Sequence, residues 1–340
     1  MKAFNTLSIL LCLLIGLVTE RAQAWPQSGK RHDLMATAGD SISAAFIANT
    51  TTSRPEDPSN VDIGEDSASR LISVNYSGQP FSLRLWLAQF FNHKYTFSWG
   101  TGLNVQSHYV RVREIISRDE PNVIVDAKNV AFSGATSSDL SRQAKKIVAS
   151  WRLGNFENLR YVTLLIGAND ICFDHVSVET MPSVTIDSNI RAFFKELSKI
   201  KQKEPIRVVM SALPRIPDIG QPEVLNHVLP SGKTCAYKLY QQDRLCNGLS
   251  QWNTPQEYAA RIAVVEKMNS ILKNLSMEMQ HMYPQFQIAY SEQFYHRKIV
   301  VEKLARDCFH PNRLGQDEIS AVLWADQPWW HDQNGKNSKD

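Results

Sequence analysis

The chain has 340 residues, of which 43% are hydrophobic and 21% charged, and 37 Lys and Arg against 34 Asp and Glu give a formal net charge of +3. Because this balance is close to neutral and the basic residues are scattered, the sequence lacks the basic stripe that follows a nucleic-acid backbone. The composition therefore argues against nucleic acid as a partner, while the length is ample for a sizeable hydrophobic core.

The first residues have the three-part pattern of a secretory signal peptide. Lys2 precedes an apolar run from Leu7 to Val18, and the small-residue ending Ala22-Gln23-Ala24 follows. An apolar run of about a dozen residues is too short to cross a bilayer, so a membrane anchor is the weaker interpretation. We therefore expect a cleavable signal peptide at residues 1–24, one domain over residues 25–340, a secreted or periplasmic protein, and no transmembrane segment.

Apolar runs typical of buried strands alternate along the chain with segments of helical period. The predicted strands are Leu34–Ala38, Val130–Phe132, Tyr161–Ile166, Ile206–Ala212 and Phe286–Tyr290. The predicted helices are Ile42–Ala48, one that starts near the N-cap Ser137, one that carries Ile190 to Ile200, Gln256–His281 and Gln316–Trp324. This alternation predicts an α/β fold with a parallel sheet and helices on both faces. The Ser-, Thr-, Asp- and Pro-rich stretch Thr50–Ser69 predicts an exposed loop, either a surface insertion or a lid.

Four cysteines follow the predicted signal peptide, an even number that favours two disulfides in an oxidising compartment. They are Cys172, Cys235, Cys246 and Cys308. Three pairings are open, and closeness in sequence favours Cys235 with Cys246, which leaves Cys172 with Cys308; buried free thiols are the alternative. No Cys-x-x-Cys or His-Glu-x-x-His spacing is present, so we expect no metal site.

A serine stands at the end of the first predicted strand, in Gly39-Asp40-Ser41. The carboxyl ends of parallel strands form the ligand-binding edge of such a sheet, so the Ser41 hydroxyl is expected to face a crevice. A helix over Ile42–Ala48 would add free amides and a partial positive charge, which favour an anionic intermediate. An ordinary capped turn is the alternative.

A serine nucleophile needs a base, and the base needs a carboxylate that holds its tautomer. Asp307 and His310 lie within one turn of each other in Asp307-Cys308-Phe309-His310-Pro311. The spacing predicts that Asp307 orients His310 and that His310 accepts the serine proton. A surface Asp and a His that caps the following helix are the alternative, and the other candidate bases, His32, His175 and His296, fit less well.

Hydrogen-bond donors for a developing oxyanion are available in two further loops. Gly134 follows the strand predicted at Val130–Phe132, and Asn169 follows the strand predicted at Tyr161–Ile166. Either residue alone is more typical of a turn. Together with Ser41, Asp307 and His310 they complete the set that serine ester hydrolysis requires.

These residues resemble the blocks of the SGNH/GDSL hydrolases, namely Gly-Asp-Ser, a Gly, Gly-x-Asn-Asp and Asp-x-x-His, in the same order. The resemblance implies a three-layer α/β/α sandwich similar to flavodoxin, with no metal and no organic cofactor. It also implies a catalytic triad of Ser41, His310 and Asp307. The implied oxyanion hole consists of the Ser41 and Gly134 amides with the Asn169 side chain.

Within that family the chain is most similar to the phospholipase B-like group, although Ala168 replaces the second Gly of that group's Gly-Gly-Asn-Asp. The similarity rests on Ala38-Gly39-Asp40-Ser41, Phe97-Ser98-Trp99-Gly100, Leu165 to Cys172 and Asp307-Cys308-Phe309-His310. It implies hydrolysis of acyl esters of phospholipids or lysophospholipids. An acyltransferase, a carbohydrate O-acetylesterase and a non-enzymatic binding protein remain alternatives. Trp329 and Trp330 would either contact a lipid surface or pack on the domain.

Overall fold

Five parallel strands form one sheet in the order β2-β1-β3-β4-β5. They are β1 (Arg31–Gly39), β2 (Val123–Asn129), β3 (Asn158–Leu165), β4 (Ile206–Ser211) and β5 (Phe286–Ser291). The computed structural model describes residues 29–52 and 96–330, so the predicted signal peptide and most of the Thr50–Ser69 loop lie outside the described residues. The described residues from His32 onward belong to one compact unit.

Helices cover both faces of the sheet, as the alternating pattern predicts. They are α1 (His108–Asp119), α2 (Leu140–Leu153), α3 (Ala168–Ile171), α4 (Ser183–Leu197), α5 (Pro222–Leu225), α6 (Cys235–Tyr237), α7 (Asn247–Ser250), α8 (Pro255–Met282) and α9 (Arg313–Asp326). Short 3-10 turns span Ser137–Asp139, Ile216–Gly220 and Val301–Lys303, and a π-helical turn spans Lys238–Asp243. No helix in the described ranges is both long and apolar enough to cross a bilayer.

Successive side chains of a strand point to opposite faces of the sheet, so the two faces bury different residues. Ala36 and Ala38 of β1 belong to the larger buried cluster, to which α2, α4 and α8 contribute. Met35, the residue before Ala36, belongs to a second cluster together with Tyr109 and Val112 of α1. The fold is therefore the predicted α/β sandwich with a central parallel sheet.

Four helices, α2, α4, α8 and α9, lie where the sequence predicts them, whereas α1 was not predicted. Thr254 accepts a hydrogen bond from the Glu257 amide at 3.1 Å and begins α8, which contains the predicted Gln256–His281. Asn312 accepts from the Gly315 amide at 3.1 Å and begins α9 three residues earlier than predicted. Thr136, and not Ser137, occupies the N-cap before the turn that leads into α2.

The strand predicted at Val130–Phe132 is misplaced, because β2 ends at Asn129 and Val130–Phe132 follows it. β2 lies at an edge of the sheet, where one side of the strand is open. Its charged residues Asp126 and Lys128 are half-exposed and are therefore tolerated there. Because they interrupt the apolar pattern, a search for apolar runs does not detect β2.

The helix predicted over Ile42–Ala48 is wrong, because these residues form successive turns. Ala45 and Ile47 have φ angles of 52° and 48°, in the left-handed region that a regular helix of L-residues does not use. The argument from a helix dipole at Ser41 therefore fails. The local bonds are short-range, such as the one from the Phe46 amide to the Ser41 carbonyl at 2.9 Å.

The favoured disulfide pairing is also wrong. The structure joins Cys172 to Cys246 and Cys235 to Cys308, across 74 and 73 residues. Closeness in sequence misled the prediction because the segment from Cys235 to Cys246 folds against two different loops of the sheet edge. Each of its cysteines therefore meets a distant partner and not its neighbour.

The C-terminal tryptophans pack on the domain, which is one of the two predicted outcomes. Trp330 stacks on Trp324 with ring centroids 5.9 Å apart and lies beneath the Arg207 guanidinium at 4.9 Å. Trp329 contacts the edge of the buried Tyr161 ring at 6.0 Å. These contacts use the same indole surfaces that would have to face a lipid interface.

Candidate active site

Ser41, His310 and Asp307 form a continuous hydrogen-bonded chain at the carboxyl edge of the sheet. The Ser41 Oγ lies 2.9 Å from His310 Nε2, and His310 Nδ1 lies 2.5 Å from Asp307 Oδ2. All three side chains are buried, with relative exposures of 7%, 6% and 4%. The spacing predicted from sequence is thus matched by a geometry in which one imidazole contacts both a serine hydroxyl and a carboxylate.

Asp307 is held in its ionised form by its surroundings. Burial acts to raise the pKa of its carboxyl, but the hydrogen bond and charge of His310 and two backbone amides outweigh burial, so the pKa is lowered. The amides of Phe309 and His310 each donate to Asp307 Oδ1 at 3.0 Å. Oδ2 is therefore left for the imidazole, whose Nδ1–H it can accept.

The three expected oxyanion donors are placed around the same edge. None of the hydrogen bonds among the described residues uses the Ser41 amide or the Gly134 amide. Asn169 donates one amide hydrogen to the Ala135 carbonyl at 2.9 Å, which leaves its second hydrogen for a ligand. Ser41 and Asn169 line one cavity, whereas Gly134 lies outside that lining in an exposed turn with φ +78°.

The other three candidate bases, His32, His175 and His296, lie in different surroundings from His310. His32 lies 3.3 Å from Asp126 at the far end of the sheet, and His175 and His296 are exposed. Within residues 29–52 and 96–330, no three His, Cys, Asp or Glu side chains are grouped as metal ligands would be. Only His310 of the four candidate bases contacts Ser41.

The sequence profile of the family described as GDSL-like Lipase/Acylhydrolase matches residues 35–323. The chain belongs to this family. Membership in this family supports an enzyme that hydrolyses acyl esters. The comparison with curated proteins gave no match.

Solved structures similar to this GDSL-like hydrolase include two esterases. Esterase EstA from Pseudoalteromonas sp. is 11% identical, with a TM-score of 0.37, over 86% of this chain and 95% of that chain. The acetylxylan esterase Axe2 from Geobacillus stearothermophilus is 12% identical, with a TM-score of 0.39, over 89% of this chain and 97% of that one.

In this GDSL-like hydrolase the turn before Ser41 is fixed by a glutamine that the sequence analysis missed. Gln143 of α2 accepts from the Gly39 amide at 2.7 Å and donates to the Gly39 carbonyl at 2.8 Å. Gly39 has φ +141°, and a Cβ there would lie 2.1 Å from the Leu165 carbonyl oxygen. The signal was available, because Gln143 is a polar residue in the otherwise apolar stripe of Leu140 and Ala144.

The turns after Ser41 are held from outside by side chains of other segments. Asn129 donates to the Ser43 carbonyl at 3.0 Å, and the Ser98 hydroxyl donates to the same oxygen at 2.8 Å. Gln316 of α9 donates to the Ile42 carbonyl at 2.9 Å. These bonds supplement the few backbone bonds within the segment, and contacts of such long range leave no trace in local sequence patterns.

Asp40, next to Ser41, is fully buried, and only one of its two carboxylate oxygens has a hydrogen-bond partner among the described residues. Its Oδ1 accepts from the Ile42 amide at 3.0 Å, and its Oδ2 has no hydrogen-bond partner within the described residues. Burial raises the pKa of Asp40 to about 7, against the opposing hydrogen bond from Ile42 and the charge of His310. The carboxyl therefore changes charge near neutral pH, directly beside the site.

A cavity of about 710 Å³, including the solvent space at its mouth, opens at Ser41 and Asn169. Its wall is mainly apolar and comes from the segments after β4 and β5 and from the start of α9. The larger apolar side chains in the lining are Ile42, Ile216, Ile219, Phe294, Ile299, Val300, Leu304, Phe309 and Ile319. The site thus joins a polar edge to an apolar pocket, which is the usual composition of a small-molecule site.

Proposed function

We propose that this protein is an exported serine hydrolase that cleaves acyl esters of lipids, with lysophospholipids or phospholipids as its substrates. The observation that carries the proposal is the hydrogen-bonded chain from Ser41 through His310 to Asp307. The apolar cavity beside Ser41 supports a substrate with an acyl chain. It favours such a lipid over an acetylated sugar, whose polar rings would lose water without hydrogen-bond partners there.

In the proposed reaction Ser41 Oγ attacks the ester carbonyl carbon while its proton passes to His310 Nε2. The carbonyl oxygen becomes negative and is stabilised by the Ser41 amide, the Gly134 amide and the second amide hydrogen of Asn169. Collapse expels the alcohol, which takes the proton from His310. Water then gives a proton to His310 and attacks the acyl-serine, which releases the carboxylic acid and restores Ser41.

The test is release of fatty acid from lysophosphatidylcholine, phosphatidylcholine and p-nitrophenyl esters of graded chain length. We expect hydrolysis that rises with chain length and is lost in Ser41→Ala, with covalent labelling of Ser41 by a fluorophosphonate in the wild type alone. Activity that survives in Ser41→Ala would exclude the proposed nucleophile. Hydrolysis confined to acetyl esters would move the substrate class away from lipids.

Export is proposed from the predicted signal peptide at residues 1–24, and the two disulfides support it because such bonds persist in oxidising compartments. N-terminal sequencing of protein recovered from the periplasm or medium of an expressing cell would test it. We expect a mature chain that begins at Trp25. An intact Met1 in cytoplasmic protein would contradict export.

A further inference from the structure

The mouth of the cavity carries charged side chains that the hydrolytic reaction does not use. Lys303 and Glu318 both line it, and they form an ion pair of 2.8 Å. Arg297 and Lys298 line it as well, and both are exposed. Neither has an acidic partner among the residues that the structure describes, so two positive charges remain unbalanced at the entrance.

The segment that carries these two cations is anchored and not a free loop. It follows β5, and the Arg297 amide donates to the Phe294 carbonyl at 3.3 Å. Phe294 is buried in the cavity wall, and the Tyr295 hydroxyl donates to Glu266 of α8 at 2.8 Å. The adjacent Ile299 and Val300 line the same cavity. Arg297 and Lys298 are therefore held where the apolar wall meets solvent.

This arrangement of an apolar pocket with a cationic entrance fits an amphiphile that has an apolar chain and an anionic group. The chain can leave water in the pocket, whereas a charge would pay a large desolvation cost there and must stay at the entrance. A phosphate at the entrance can accept charge-assisted hydrogen bonds from a guanidinium and an ammonium.

We propose that Arg297 and Lys298 make the enzyme selective for acyl esters that also carry an anionic group, of which an acyl glycerophosphate is the simplest. The inference deepens the proposed lipid hydrolysis and rests on it. It assigns these two residues to substrate selection and not to the chemical steps, which Ser41, His310 and Asp307 perform.

The test compares two substrates that differ only by the phosphate, decanoyl lysophosphatidate and monodecanoylglycerol, below their critical micelle concentrations. We expect the wild type to prefer the lysophosphatidate in kcat/KM, and the double variant Arg297→Gln with Lys298→Gln to reduce that preference roughly fivefold. Rising salt should reduce the preference in the wild type and have less effect in the double variant. A third substrate, decanoyl lysophosphatidylcholine, shows whether the enzyme recognises the net charge of the substrate or its phosphate alone.

The matched control is Lys145→Gln with Lys146→Gln, which removes two exposed positive charges from α2, away from the cavity. This control should keep the wild-type preference. An equal loss of preference in both double variants would mean that overall charge acts and not the entrance, and a wild type without any preference would overturn the inference.

A binding measurement separates this inference from the proposed hydrolysis. Calorimetry of Ser41→Ala with the decyl ether analogue of lysophosphatidate, which has no ester to cleave, should show weaker binding after Arg297→Gln and Lys298→Gln are added. Such weakening would support anion selection even if no lipid were hydrolysed. Unchanged binding would reject it even if hydrolysis were established.

Discussion

The two segments that meet in the active site are held in place by different means. The turns after Gly39, which carry Ser41, are fixed by hydrogen bonds from buried side chains of distant elements, such as Gln143 and Asn129. The turn that carries His310 is fixed by a disulfide at Cys308 and by its own backbone. The proposed nucleophile thus depends on packing of the whole sheet edge, whereas the proposed base depends on a local turn and one covalent bond.

The difference follows from the backbone of each segment. The Ser41 turns have only scattered backbone bonds, such as the one from the Ala44 amide to the Asp40 carbonyl at 2.9 Å, so the Ser43 carbonyl takes external donors that offset the cost of its burial. Asp307 instead satisfies two amides of its own turn with one oxygen. Cys308, at φ +60°, takes a left-handed conformation that favours glycine, and its disulfide is positioned to hold it. Four sets of substitutions test these two modes of support and the groups beside them.

The largest effect is expected from Asp307→Asn. The amide oxygen can still accept from the backbone amides of Phe309 and His310, so the turn should keep its shape. The imidazole loses the carboxylate that fixes its tautomer and stabilises its charge, and kcat should fall by roughly 10³-fold with little change in KM. Steady-state kinetics on a p-nitrophenyl ester would measure this, and a kcat close to that of the wild type would exclude the orienting role.

The next effect is expected from removing one disulfide at a time, as Cys235→Ser with Cys308→Ser or Cys172→Ser with Cys246→Ser. The two disulfides close loops of nearly equal length, 73 and 74 residues. Removal of either one should therefore lower the free energy of unfolding by a similar amount, about 2–4 kcal/mol. Their effects on kcat should differ, with the greater loss for the pair that includes Cys308.

The reason is that the Cys172 loop has further support. Asp170 accepts from the Ser137 amide at 2.8 Å and from its hydroxyl at 2.6 Å, which fixes the loop beside Asn169 without the disulfide. Urea unfolding and kinetics on the same samples would give both quantities. Equal losses of kcat in the two variants would show that the disulfide at Cys308 does not position His310.

A smaller effect is expected from Gln143→Ala, for which the chain offers a matched control. Gln143 bonds both the amide and the carbonyl of Gly39, and Gln202 bonds those of Leu159 at 2.7 and 3.2 Å, at the start of β3. Each change should cost about 1–3 kcal/mol of stability, because it leaves backbone groups without partners. Only Gln143→Ala should lower kcat. A similar kcat for Gln143→Ala and Gln202→Ala would show that the hydrogen bonds to Gly39 do not contribute to catalysis.

The smallest effect is expected from Asp40→Asn, and it depends on pH. The pKa of Asp40 is raised from 3.8 to about 7 in the folded protein, so the folded state holds a proton that the unfolded state has lost between those values. The wild type therefore loses stability as pH rises from about 4 to 7, and the loss stays constant above pH 7. Asparagine cannot ionise and avoids this loss.

We expect Asp40→Asn to gain stability relative to the wild type as pH rises from 6 to 8, by on the order of 1–2 kcal/mol. Urea unfolding of both proteins at several pH values would measure it, because the contributions of all other groups cancel in the difference. A difference that does not change with pH would show that Asp40 has its ordinary pKa in the folded state.

The lengths and positions of the regular elements were largely predictable, and the departures have physical causes. α8 was predictable because Thr254 and Pro255 mark its start. β2 was misplaced because an edge strand can carry Asp126 and Lys128 without an apolar run. Ile42–Ala48 was assigned to a helix because its composition is apolar, although its carbonyls are bonded by remote side chains.

The sequence by itself determined the candidate site, since Ser41, Asn169, Asp307 and His310 each follow a recognisable strand or turn and need only a parallel sheet to converge. Only the tertiary structure decided the disulfide pairing, the support from Gln143 and Asn129, the burial of Asp40 and the cationic entrance at Arg297 and Lys298. All of these depend on which distant residues become neighbours. Local patterns record the period and ends of an element, whereas long-range contacts arise from the packing of the complete sheet and its helices.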